Sequence, residues 1–138
     1  MISLKELLMG KVLADQSPEI QANIPKLLER INLIRKAYGK PMKPSSCIRT
    51  MEEHKKIYAK KGITDESKIP MKSKHLFGNA IDISDPNQEL QKWCLANENQ
   101  LREIGVWMED FSKTPNWVHF QIVPFLSFKE GGNLWFMP

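Results

Sequence analysis

The chain lacks most of the features that would place it in a specialised class. It holds two cysteines in 138 residues, Cys47 and Cys94, far apart and outside any CxxC pattern. Unpatterned thiols argue for folding in a reducing cytoplasm and leave a disulfide without support. No stretch approaches the length and apolarity of a membrane span. The opening Met-Ile-Ser-Leu-Lys-Glu-Leu-Leu-Met-Gly is too short and too charged for a signal peptide. No internal repeat or low-complexity segment occurs, and lysines do not interleave with aromatics on one face, which makes nucleic-acid binding the weakest reading. The length suits one domain with one core. A formal charge of +4 and a pI near 9.1 fit an anionic partner such as cell-wall polymer, nucleic acid or acidic lipid, but the excess is small and spread out, as on an ordinary soluble surface.

What the chain does have is concentrated between Lys72 and Ser84, Lys-Ser-Lys-His-Leu-Phe-Gly-Asn-Ala-Ile-Asp-Ile-Ser. From Asn79 the residues alternate, Ile81 and Ile83 one way and Ala80, Asp82 and Ser84 the other. If the isoleucines face a core, Asp82 faces a site, and His75 lies one turn upstream. Gly78 and Ala80 leave the intervening backbone bare enough to pack around an ion. A second alternating stretch, Trp117 to Ile122, turns Val118, Phe120 and Ile122 to one side and Trp117, His119 and Gln121 to the other. Two imidazoles and a carboxylate are a frequent catalytic zinc set, because three protein ligands leave a fourth position open.

The pattern Ser-x-His-x-x-Gly-x-Ala-x-Asp from Ser73 to Asp82, followed by Trp-Val-His from Trp117 to His119, resembles the zinc D-alanyl-D-alanine carboxypeptidase family. That family includes vancomycin-resistance dipeptidases and phage L-alanyl-D-glutamate endolysins, and shares its fold with the hedgehog signalling domain. Ser46-Cys47-Ile48-Arg49 is similar to the family's Ser-Gly-Tyr-Arg segment, departing from it at Cys47 and Ile48. The resemblance implies an α+β fold, a small antiparallel sheet carrying a zinc site and packed against several helices. It implies one zinc ion on His75, Asp82 and His119, with Arg49 at the substrate carbonyl. Ser73, Trp117 and Gln121 are then expected to bind substrate.

One family position is not filled. Many relatives carry a glutamate three residues before the last zinc histidine, where this chain has Asn116. An amide cannot take a proton from water at neutral pH. Glu109 and Asp110 lie just upstream, and a hairpin register with Glu109 opposite His119 and Trp107 opposite Gln121 puts Glu109 on the site face. Glu109 is therefore the expected base, Asp110 falling on the other side; the loop length alone does not fix that register, and a solvated acid at a hairpin end is the plain alternative.

The rest reads as scaffold. Ser3 caps a short helix. Ser17 and Pro18 open a longer one with Ile20, Ile24, Leu27, Leu28, Ile31, Ile34 and Tyr38 on one stripe, closed at Gly39; Lys26, Arg30, Arg35 and Lys36 fall off the stripe as a solvated face. Met42 to Ile48 reads as a strand. Thr50 and Glu53 form a capping box for a helix ending at Gly62, on which His54 is structural or surface. Gly62 to Met71 reads as a loop. Asp85 and Pro86 open a helix to about Ile104, with Cys94 inward. Residues 1–16 form an arm and 124–138 an irregular cover over a single domain spanning 1–138.

The function expected from these parts is a zinc peptidase, a monomer that cuts the peptidoglycan stem peptide, with no membrane or nucleic-acid partner. It would be made in the cytoplasm without a signal peptide and reach the wall after release, as a phage endolysin or related lytic enzyme does, or within a virion. The alternative is a zinc-stabilised binding or virion structural module of the same fold.

Overall fold

In the computed structural model, which describes residues 1–49, 51–65, 67 and 74–138, the fold is α+β. Thr50 and Ser73, and with them one member of the expected capping box and one expected substrate contact, lie outside the described residues. Helix α1 covers Leu4–Leu8, α2 Pro18–Tyr38 and α3 Met51–Lys60. Strand β1 covers Lys43–Ser46, β2 Ala80–Ser84, β3 Trp107–Glu109, β4 Trp117–Gln121 and β5 Trp135–Phe136, while α4 is Glu89–Ala96 and α5 Glu98–Ile104. Among the described residues no helix is long and apolar enough to cross a membrane.

The helix starts follow from their caps. Ser3 accepts from the Glu6 N–H while the Glu6 side chain reaches back, a complete capping box. Ser17 accepts from the Ile20 N–H, and Gly39 closes α2 with a left-handed φ of 77°. Ile20, Ile24, Leu27, Ile31 and Ile34 are buried along α2, and they meet one face of the sheet, where Ile81, Ile83, Met108, Val118 and Phe120 are fully buried. Leu90, Cys94 and Leu101 complete this single core. Both cysteines are free and buried; burial pushes the Cys47 thiol up to about 12 and Cys94 higher still, so neither is a nucleophile.

Four expectations change. The sheet is mixed, not wholly antiparallel: its order is β1-β2-β4-β3-β5, and β5 runs parallel to β3. The tail is thus not only an irregular cover, since its backbone completes a sheet edge. The segment after Asp85 forms two helices, because Asn97 leaves helical geometry at φ −127° and its side chain caps the Trp93 carbonyl. Asp85 still caps, but at a distance, accepting from the Leu90 and Gln91 N–H groups. Arg30 is no solvated residue either: its guanidinium donates to the carbonyls of Gly105 at 2.7 Å and Ile122 at 3.0 Å, which its length allows from the edge of the stripe.

Gly78 also has a different reason from the one expected. Its φ is +73°, and a Cβ there would meet Ile20 Cγ2 at 3.3 Å and Ile24 Cδ1 at 3.4 Å. It lets α2 approach the turn that carries His75, a turn also held by Asn23 donating to the Phe77 carbonyl at 2.9 Å. Gly78→Ala should therefore cost more than the roughly 1–2 kcal/mol of a left-handed alanine alone. Gly10, with φ +88° and nothing within 4 Å of its Cβ position, isolates the backbone part. Urea unfolding of the chelated protein should give a larger loss for Gly78→Ala than for Gly10→Ala; equal losses would mean that the contact with α2 is slack.

Candidate metal centre

The two alternating segments become neighbours in the sheet. Strands β2 and β4 pair antiparallel with Asp82 opposite His119, so both side chains leave the sheet side by side on the face away from the core. His75 reaches the same point from the 3-10 turn Lys74–Phe77. The turn is pinned from two sides, by α2 through Asn23 and by the Arg49 N–H donating to the His75 carbonyl at 3.2 Å. His75 Nε2 lies 3.3 Å from Asp82 Oδ1, and His119 Nδ1 lies 2.9 Å from the same oxygen. One ligand atom from each residue falls within 4.8 Å of the other two. The expected trio is therefore brought together as a group that could hold a metal ion.

The far side of each ring decides which nitrogen faces the centre. His75 Nδ1–H donates to the Cys47 carbonyl at 2.8 Å. His119 Nε2–H donates to Gln121 Oε1 at 2.9 Å, and the Gln121 amide is oriented by donating its own N–H to the Val123 carbonyl at 2.8 Å. With those tautomers fixed, His75 Nε2, His119 Nδ1 and the Asp82 carboxylate oppose one another as three lone-pair donors in a mostly buried space. Such a set is mutually repulsive without a positive charge at its centre. A tetrahedral ion with bonds of about 2.0–2.1 Å spaces its ligands roughly 3.4 Å apart, against 3.3 Å from His75 Nε2 and 2.9 Å from His119 Nδ1 to Asp82 Oδ1 here. The donor set fits the ion.

Without metal, a proton fills part of that role. Burial, the strongest single influence on Asp82, works against its charge, yet hydrogen bonds and positive charge from His119 and His75 outweigh it and hold the carboxyl far below the usual range. Burial likewise works against the charged form of His119, and the hydrogen bond and charge of Asp82, with Glu109 behind, still raise it. Glu109 Oε1 lies 3.8 Å from His119 Nδ1 with its side chain 25 % exposed. Strand β3 pairs with β4 as Trp107 opposite Gln121 and Met108 opposite Phe120, the register expected from the sequence. Asp110 is committed elsewhere, its carboxylate accepting from Ser112 N–H and Oγ–H at 2.9 and 2.6 Å, which lowers it in a solvated turn. Asn116 is exposed in a turn, its carbonyl accepting from the Asp85 N–H.

Two expected contacts land differently. Gln121 is 2 % exposed with both ends of its amide engaged, so it orients His119 instead of meeting substrate. Arg49 is tied to the site through its backbone, but its guanidinium Nη1 lies 3.1 Å from His54 Nδ1 and its Nε is buried with no acceptor among the described residues. His54 is fully buried, with its ring edge-on to Tyr58. Trp117, half-buried at one end of β4 opposite Ser84, keeps its place on the site face. The Cys47 carbonyl and Gln91 were not legible as functional. Gln91 donates from its side chain to the Thr114 and Trp117 carbonyls at 2.6 and 3.1 Å, steadying the loop that sets the β3–β4 register.

The shifts fix the sign of a pH dependence in metal-free protein. His119, raised when folded, stabilises below its ordinary value and loses that contribution as pH climbs through the raised one. Asp82, lowered when folded, stabilises above its ordinary value and loses that contribution as pH falls through the lowered one. Their joint contribution is whole between roughly pH 4 and 6.5. With chelator present, the Tm gap between wild type and Asp82→Asn should be widest in that window and shrink on the alkaline side; a gap unchanged from about pH 5 to about pH 9 would dispose of the charged pair. Separately, Gln121→Leu should weaken metal binding by about 10–100-fold in a competition titration while leaving the fold intact, and unaltered affinity would remove Gln121 from the site. In comparisons with family models, curated proteins and solved structures, the chain matches none, so the two motifs and the geometry they adopt carry the reading.

Proposed function

We propose that the chain is a zinc-dependent peptidase that hydrolyses a peptide bond of the bacterial peptidoglycan stem peptide. The observation that carries this reading is Glu109, a partly exposed carboxylate 3.8 Å from His119 Nδ1, at the edge of a three-ligand cluster that leaves an ion one position free. A binding or structural module has use for the three ligands but none for the acid beside them. The resemblance of Ser73–Asp82 and Trp117–His119 to the zinc D-alanyl-D-alanine carboxypeptidase family supports the substrate class, and the positive formal charge of +4 suits an anionic wall.

His75, Asp82 and His119 would hold the ion, and zinc suits a set of two imidazoles and one carboxylate. Bound there, it supplies Lewis acidity, lowering the pKa of water and polarising the scissile carbonyl. Glu109 accepts the proton as the water oxygen bonds to the carbonyl carbon, then delivers it to the nitrogen as the carbon–nitrogen bond breaks. The resemblance puts Arg49 at the substrate carbonyl, where its guanidinium, which lies 3.1 Å from His54 Nδ1, would hold the oxygen on which negative charge develops. Gln121 and the Cys47 carbonyl keep both imidazoles in the tautomer that the ion needs.

Digestion of purified peptidoglycan, read by mass spectrometry of the released muropeptides with and without chelator, tests the activity. Glu109→Gln should retain zinc and lose at least about a hundredfold in kcat, the usual share of a general base. Full zinc occupancy with no cleavage of walls of several chemotypes would instead favour the binding or structural module, and undiminished cleavage by Glu109→Gln would take that residue out of the reaction.

A further inference from the structure

The residues around the metal cluster form one row across the sheet. Asp82 on β2 stands opposite His119 on β4; the β3–β4 register continues the row to Glu109; and Glu109 aligns with Phe136 on β5. The row thus passes from ligand to ligand to proton carrier and ends on an aromatic ring. The Phe136 ring lies 6.1 Å from the His119 ring and 5.2 Å from Phe125, which in turn lies 5.5 Å from Phe128. Beyond Phe136 a cleft of about 660 Å³ opens, lined by Phe125, Phe128, Trp135, Phe136 and Met137 with Lys129 beside them.

Resting on the peptidase reading, we infer that this cleft receives the part of the stem peptide that leaves with the amine, and that the bond cut is an internal one. The side follows from proton bookkeeping: Glu109 must hand its proton to the leaving nitrogen, so that nitrogen lies on the Glu109 side of the ion, toward Phe136. The size follows from the cleft, an open groove in the volume range of small-molecule sites; a single terminal D-alanine leaves most of it vacant. The chemistry follows from the lining. Aromatic faces suit the long methylene stem and ammonium of a diamino acid such as the lysine of the stem peptide, and the Lys129 ammonium suits the carboxylate that ends the segment. Leu126, beside Phe125, is fully exposed and Met137 is 62 % exposed, so apolar surface is available at this edge.

N-acetylmuramyl-L-Ala-γ-D-Glu-L-Lys-D-Ala-D-Ala is the probe for cleavage and free L-Lys-D-Ala-D-Ala the probe for binding. Zinc-loaded wild type should release a fragment of two or more residues; release of terminal D-alanine alone overturns the inference. Phe125→Ala should lower kcat/KM on this substrate by about tenfold or more, the loss of one good aromatic contact, with zinc content unchanged. Ser127→Trp, which fills the cleft from an exposed position without removing a core ring, should do the same if the first variant folds poorly. Calorimetry with chelated protein gives a readout that needs no reaction: the tripeptide should bind wild type and bind Phe125→Ala about tenfold more weakly. Cleavage of an internal bond without tripeptide binding, and undiminished in both cleft variants, overturns the cleft alone. Tripeptide binding with no cleavage of any stem peptide overturns the hydrolase, and the leaving-group assignment with it.

Discussion

Two hydrogen bonds made behind the site govern everything in front of it. By accepting the outer ring N–H groups of His75 and His119, the Cys47 carbonyl and Gln121 Oε1 leave both imidazoles presenting a lone pair to the Asp82 carboxylate. Three electron-rich atoms so placed are stable only around positive charge. The fold could accordingly accept either a proton, shared between His119 and Asp82, or a cation, and the two would compete for one nitrogen. Metal affinity and pH are linked by that competition, and folding is linked to both because Asp82 sits mid-strand in the sheet and cannot retreat to solvent.

The scaffold holds the segments that carry these atoms from several sides. Asp82 is flanked by β1 on one side and β4 on the other, so its backbone is fixed twice. The turn with His75 has no sheet to hold it and is fixed by α2 instead, through Asn23 and the close approach that Gly78 permits. Helix α2 is in turn tied to the ends of α5 and β4 by Arg30, which donates to the carbonyls of Gly105 and Ile122. A site assembled from segments distant in sequence thus rests on side chain to backbone bonds that span 54, 75 and 92 residues.

The ligand set was legible because period two survives any tertiary context: once Ile81, Ile83, Val118 and Phe120 are assigned to a core, Asp82 and His119 have only the other face. The same rule fails for Gln121, since periodicity gives the face but not whether an amide there meets solvent or a neighbouring ring. The Cys47 carbonyl was invisible in principle, because any residue supplies one. The break at Asn97 was hidden by continuous apolar spacing on either side of it, with no glycine or proline between. Strand β5, only Trp135–Phe136, is too short to alternate and pairs parallel across a long loop, so no local pattern announces it. Glu109, the carboxylate that the hairpin register singled out, lies 3.8 Å from His119 Nδ1, while Asn116 stays in an exposed turn.

On the proposed role of Glu109, the C-terminal segment would help to position the base. Strand β3 has three residues and two cross-strand pairs with β4, too little to hold a side chain to the tolerance that proton transfer demands. Its other edge is closed by the tail, the Met108 N–H donating to the Leu134 carbonyl at 3.0 Å and the Asp110 N–H to the Phe136 carbonyl at 2.8 Å. These bonds bracket Glu109, one residue to each side. A glutamate three positions before His119 would stand in the exposed turn that leads into β4. With Glu109 on β3, the backbone on either side of it is held by Leu134 and Phe136, and the Phe136 ring also lines the aromatic cleft.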